Sequence, residues 1–139
     1  MYLILFYLYY YIPKTIKLFL QNIENLRAEL NFDVVLKLKR RNDKFYDQTY
    51  VTLVNELEKL GWTIISSGVN ARHVIEKTKI SIHFPFTSTG LIAEALEKPS
   101  VYYDPSGTID NSNTAMMGSF FVNDKKHLKK FLESHLVMG

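Results

Sequence analysis

The chain has 139 residues, 47% hydrophobic and 22% charged, with a formal net charge of +3. That is chain enough for one domain and too mixed a composition for a disordered one, and a small charge with no basic stripe interleaved with aromatics calls for no nucleic-acid partner. There is no cysteine, which removes disulfides and thiolate metal sites, and His73, His83, His127 and His135 form no HxxxH or HExxH pair, so no metal is expected.

Met1–Ile12, MYLILFYLYYYI, is almost wholly apolar but too short to span a bilayer as a helix, and Pro13, Lys14 and Lys17 interrupt the run. It lacks the basic start and small-residue cleavage site of a signal peptide. Three readings compete for it: a buried strand, a foot on a membrane surface, or an interface whose partner lies elsewhere. Pro13 suits the first turn of a helix, and Ile16, Phe19, Leu20, Ile23, Leu26 and Leu30 recur at helical spacing, which predicts a helix over Lys14–Leu30.

Val34–Leu38 reads as the first strand of a sheet and runs into the basic cluster Lys39-Arg40-Arg41-Asn42-Asp43 at its carboxyl end. Thr49–Leu60 is a helix that Gly61 stops, Trp62–Ile65 a second strand, Ser66-Ser67-Gly68 a β–α turn and Asn70–Thr78 a short helix. Ile80–Phe84 is the third strand, Leu91–Lys98 a helix that Pro99 ends, and Ser100–Tyr103 the fourth strand. Residues 104–118 have no strong periodicity, and so long a connection is often functional. Phe120–Val122 is a short fifth strand. Asn123 or Asp124 caps a last helix with Leu128, Phe131, Leu132 and Leu136 inward and Lys125, Lys126, Lys129 and Lys130 toward water. Strands alternating with helices predict an α/β fold: an open, mostly parallel, Rossmann-like sheet with helices on both faces. No Walker-A or GxGxxG sequence is present.

The turn after the third strand is the best candidate site. Thr87, Ser88 and Thr89 fall where the next helix begins, with Gly90 just inside it. A turn there lies at the carboxyl edge of the sheet, where open α/β sheets bind ligands, and hydroxyls beside unpaired amides suit a phosphate. Gly90 would let a ligand approach the backbone. The competing reading is a helix cap, for which Thr87 or Ser88 is equally apt. The basic cluster lies at the same edge, so its Lys39 and Arg40 are candidates to add charge. Asp104 and Asn111 are candidates for ribose or acceptor hydroxyls, though Asp104 equally well starts an Asx turn before Pro105. His83 lies on a strand, where a hydrogen-bonded core histidine is the expectation.

The run Phe84-Pro85-Phe86-Thr87-Ser88-Thr89, followed by LIAEALEKPSVYYDPSG, resembles the signature of the polysaccharide biosynthesis PFTS-motif proteins, closely from about Val34 to Gly107. The resemblance implies a bacterial glycosyltransferase-like protein of GT-B type, active in surface polysaccharide assembly, with a nucleotide sugar as substrate, no cofactor, and a Ser/Thr pair at this turn holding the donor's phosphate. The family's Lys-Pro-Lys-Arg-like element is met by Lys37, Lys39 and Arg40, with Leu38 in place of the proline.

GT-B enzymes have two Rossmann-like halves, and the resemblance covers the donor-binding one. It implies a truncated or split chain with residues 1–31 an apolar segment and interdomain-type helix and residues 32–139 the nucleotide-sugar-binding domain. Residues 1–12 would then meet a separate N-terminal half or the membrane surface, in the cytoplasm or at the membrane's inner face. The alternative is a catalytically inactive nucleotide-binding or protein-interaction module. A flavodoxin-like response domain is disfavoured, because no acidic cluster follows the first strand.

Overall fold

The computed structural model describes residues 2–6, 13–37, 48–65, 68–83, 89–107 and 120–136. Strands and helices alternate along them: β1 (Tyr2–Phe6), α1 (Pro13–Leu30), β2 (Asp33–Lys37), α2 (Gln48–Lys59), β3 (Thr63–Ile65), α3 (Ala71–Glu76), β4 (Ile80–His83), α4 (Thr89–Ala95), β5 (Ser100–Tyr103), β6 (Phe120–Val122) and α5 (Lys125–Leu136). The strands form one six-stranded sheet in the order β3-β2-β1-β4-β5-β6, every neighbouring pair parallel. This is the Rossmann order, and the expected α/β class is what the chain adopts.

The place of β1 corrects the expected division of the chain. Leu3 is in register with Val34 on one side and Ile80 on the other, so Tyr2–Phe6 is an inner strand with a neighbour along each edge. A near-continuous apolar run is what an inner strand of a parallel sheet requires, since helices cover both faces. The boundary after residue 31 therefore separates nothing: β1 lies within the sheet, and α1 packs on it as one of its own layers. Residues 7–12, which shared the interface reading, lie outside the described residues.

Alternation along each strand sends successive side chains to opposite faces. One face carries Val34, Leu36, Ile80, Ile82, Val101 and Tyr103 against the apolar stripes of α1, α2 and α5, with Phe19, Leu20, Ile23 and Leu26 of α1 wholly buried. The other carries Val35 with Val74 and Ile75 of α3 and Ala93 of α4. On the first face Trp62 donates its indole N–H to Glu24 (2.7 Å), which also accepts from the Arg27 guanidinium. Lys129 pairs with Glu29 and ties α5 to α1.

The helix ends follow local rules. Asn70 caps α3 by accepting from the Arg72 amide (2.8 Å), and Asp124 caps α5 by accepting from the His127 amide (2.7 Å). After α2 the amides of Gly61 and Trp62 reach back to the carbonyls of Glu58 and Leu57, closing the helix with Gly61 at φ +109°. After α4 the amides of Glu97 and Lys98 reach back to Glu94 and Ala93 in the same way, with Glu97 at φ +56°. α4 thus ends at Ala95, short of the expected Lys98, because the chain closes into this left-handed turn before Pro99 can stop it.

Candidate functional site

In a sheet of this order the crevice for a ligand opens where the connections part to opposite sides, outside the carboxyl ends of the strands. Here that point falls between β1 and β4: the chain leaves β1 toward β2 and leaves β4 toward β5. β4 ends at His83, and α4 begins at Thr89. The Thr87 and Ser88 of the candidate turn fall between these two elements and, like Lys39, Arg40 and Asn111, lie outside the described residues. Thr89 and Gly90 are the first two residues of α4, which begins two residues before the expected start at Leu91.

Polar side chains line the sheet beneath α4. Ser81 and His83 of β4 are in register with Ser100 and Tyr102 of β5, which puts the four on one face. His83 is 0% exposed and its Nε2 lies 2.8 Å from the Ser81 Oγ. Burial holds the imidazole neutral, with its pKa lowered to about 3. The rings of His83 and Tyr102 lie 5.7 Å apart, tilted by 52°. Burial, and then the Glu94 carboxylate, push the Tyr102 phenol up, so it stays protonated. His83 is thus the hydrogen-bonded core histidine expected from its strand.

Gly90 lies against Tyr102 on the side where a Cβ would stand. A Cβ on it would overlap the Tyr102 hydroxyl and lie 2.6 Å from the Tyr102 Cζ. The space that the missing side chain leaves is filled by Tyr102, so what approaches this backbone is a residue of the chain itself. Strand alternation alone could have pointed to Ser81, His83, Ser100 and Tyr102 as one polar patch. The contact of Tyr102 with Gly90 has no signal in the sequence.

Asp104, at the carboxyl end of β5, is 0% exposed. Its Oδ1 accepts from the Ser106 amide (2.9 Å) and hydroxyl (2.5 Å), which is the Asx turn weighed against a ligand contact. Lys37, buried to 6% exposure, ends β2 at the same edge of the sheet. Beside β3, on the face of α3, a groove of about 370 Å³ is lined by Val35, Ile65, Val69 and Val74 together with Thr63, His73, Lys77 and Thr78. Among the described residues no three potential ligands group about a metal position, and no helix is long and apolar enough to cross a membrane.

Fold and sequence together define a Rossmann-like α/β unit with its switch point between β1 and β4, and Pro85-Phe86-Thr87-Ser88 belongs to the connection from β4 to α4. The family model of the polysaccharide biosynthesis PFTS motif proteins matches residues 4–132, and the chain belongs to that family. The match takes in most of β1, most of α5 and all between them, well beyond the stretch Val34–Gly107 that carries the closest resemblance. Comparison with curated proteins and with solved structures gives no significant match. Membership places the chain in polysaccharide biosynthesis.

Proposed function

We propose that this unit binds the nucleotide-sugar donor of a GT-B-like glycosyltransferase, with the donor's phosphate at the turn between β4 and α4. The observation that carries the reading is the coincidence of two independent markers: the family's motif and the topological switch point fall on the same connection. Thr87, Ser88 and Thr89 offer hydroxyls there. Lys39 and Arg40 come shortly after β2 in the sequence, and β2 lies next to β1 in the sheet, so they are the residues that would add positive charge.

The departing nucleotide carries the negative charge that develops as the glycosidic bond to the donor breaks. Donors fixed before the reaction stabilise that charge without reorganisation, which is how such a site lowers the barrier. An acceptor-binding unit would bring the attacking hydroxyl and its base. The reaction would run in the cytoplasm, where nucleotide sugars are made.

Ser88→Ala tests the reading. A hydroxyl that donates to a charged phosphate oxygen contributes about 1.5–3 kcal/mol, so affinity for a nucleoside phosphate should fall roughly ten- to a hundredfold. Titration of UDP and CMP into both proteins, at a temperature where both are folded, measures it. Equal affinities would leave Ser88 a helix cap, whose loss costs about 0.5–2 kcal/mol of stability and no affinity.

A further inference from the structure

One side chain touches both ends of the turn that carries the PFTS sequence. The last residue before the turn described in the structure is His83, whose ring lies 5.7 Å from that of Tyr102. The second residue of α4 after it is Gly90, whose Cα faces the Tyr102 hydroxyl closely enough to leave no room for a Cβ. Tyr102 itself sits on β5 in register with His83, so the sheet's own pairing fixes its backbone. Ser81, two residues earlier on β4, bonds the His83 ring and fixes the remaining member of the stack.

We propose that Tyr102 is a positioning residue for the PFTS turn: wedged between His83 and Gly90, it sets the height of the first turn of α4 above the sheet. This rests on the reading of the turn as the phosphate seat. A loop whose two ends bear on one buried ring loses much of the freedom it would otherwise surrender when ligand binds, and preorganisation of that kind appears as affinity. It also accounts for a glycine at position 90, where any Cβ would lift α4 or displace the ring.

The test uses wild type, Gly90→Ala, Tyr102→Ala and the double variant, with two readouts at a temperature where all are folded. The first is affinity for UDP and CMP. Gly90→Ala should weaken it by about tenfold, and the double variant should bind within about threefold of Tyr102→Ala, as expected of two groups in direct contact. The second is amide hydrogen exchange, which should quicken at residues 84–90 in both single variants and stay unchanged in α1 and β2. Unaltered exchange at 84–90 in Gly90→Ala overturns the proposal, and faster exchange with no loss of affinity reduces Tyr102 to a packing residue. Should Gly90→Ala not fold, Tyr102→Ala decides by the same two measures. If the wild type binds neither nucleotide, the phosphate-seat reading falls, and local exchange decides alone whether Tyr102 places the turn.

Discussion

The two faces of the sheet are built from different materials. Beneath α1, α2 and α5 the strands present Val34, Leu36, Ile80, Ile82 and Val101, and Tyr103 adds a hydroxyl that accepts from the Asn22 amide (2.7 Å). Beneath α3 and α4 they present Ser81, His83, Ser100 and Tyr102 as well as Val35. The covering differs to match: helices of 18, 12 and 12 residues on the first face, of 6 and 7 on the second. Apolar burial is non-directional and grows with area, so long helices on hydrocarbon supply most of the stability. Hydroxyls and an imidazole bond in fixed directions and hold a short helix at a defined position. The difference separates what keeps the chain folded from what aligns the turn after β4.

The comparison breaks most visibly at Phe19, which is fully buried on the apolar face with its ring 5.6 Å from that of Tyr103. Phe19→Ala should cost about 3–5 kcal/mol in urea unfolding, while nucleotide affinity, measured where the variant is folded, stays as in wild type. A comparable loss of affinity would show that the faces are not separable.

On the polar face the next effect is one of pH. The unfolded His83 titrates near 6.5 and the folded one at about 3, so between those values only the unfolded chain takes up the proton. The stability of burying a neutral ring is therefore complete above pH 6.5 and lost as the pH falls toward 3. The slope is about 1.4 kcal/mol per pH unit, roughly 2 kcal/mol between pH 6.5 and 5. His83→Gln, which keeps a polar group near Ser81 but cannot titrate, should be flatter by that slope. Parallel curves for the two proteins would mean that His83 is protonated in the fold.

The smallest effects compare two helix ends of one design. Gly61 closes α2 and Glu97 closes α4, both with positive φ and the same pair of backward hydrogen bonds. Nothing lies within 4 Å of a Cβ built at Gly61, so Gly61→Ala isolates backbone strain and should cost about 1 kcal/mol. Glu97→Gly should gain about 0.5–1 kcal/mol in the same unfolding experiment, because the left-handed conformation costs a side chain and not a glycine. A loss at Glu97 would show that its side chain has a role that offsets the strain.

These elements also mark what could be read from the residues alone. Helical spacing in α1, α2 and α5, and short apolar runs bounded by Gly61 and Pro99, lead to the observed elements because each is a local pattern with a local cause. Gly61 ends α2 as expected of a glycine. Glu97 carries no such mark, and so the sequence pattern runs three residues past the end of α4. β1 is one reading among three, because an unbroken apolar run looks alike whether it serves an inner strand or an interface, and its strand neighbours are distant in sequence. At the site, the place of the turn at a strand's carboxyl end was legible, as was the Asx turn at Asp104. The role of Gly90 was not, because it depends on Tyr102, and only the pairing of β4 with β5 brings the two together.

The central place of β1 has a consequence for assembly. Leu3 bonds into the sheet beside Val34 and Ile80, and the second of these partners comes late in the chain. Until β4 docks, a β1–α1–β2 unit exposes one open edge of an apolar strand, the kind of edge that recruits other chains. Pairing over such separations is slow, because loop-closure entropy must be met before the contacts form. Refolding yield should therefore fall with protein concentration, and the species that aggregates should be one in which β1 has found β2 and still waits for β4.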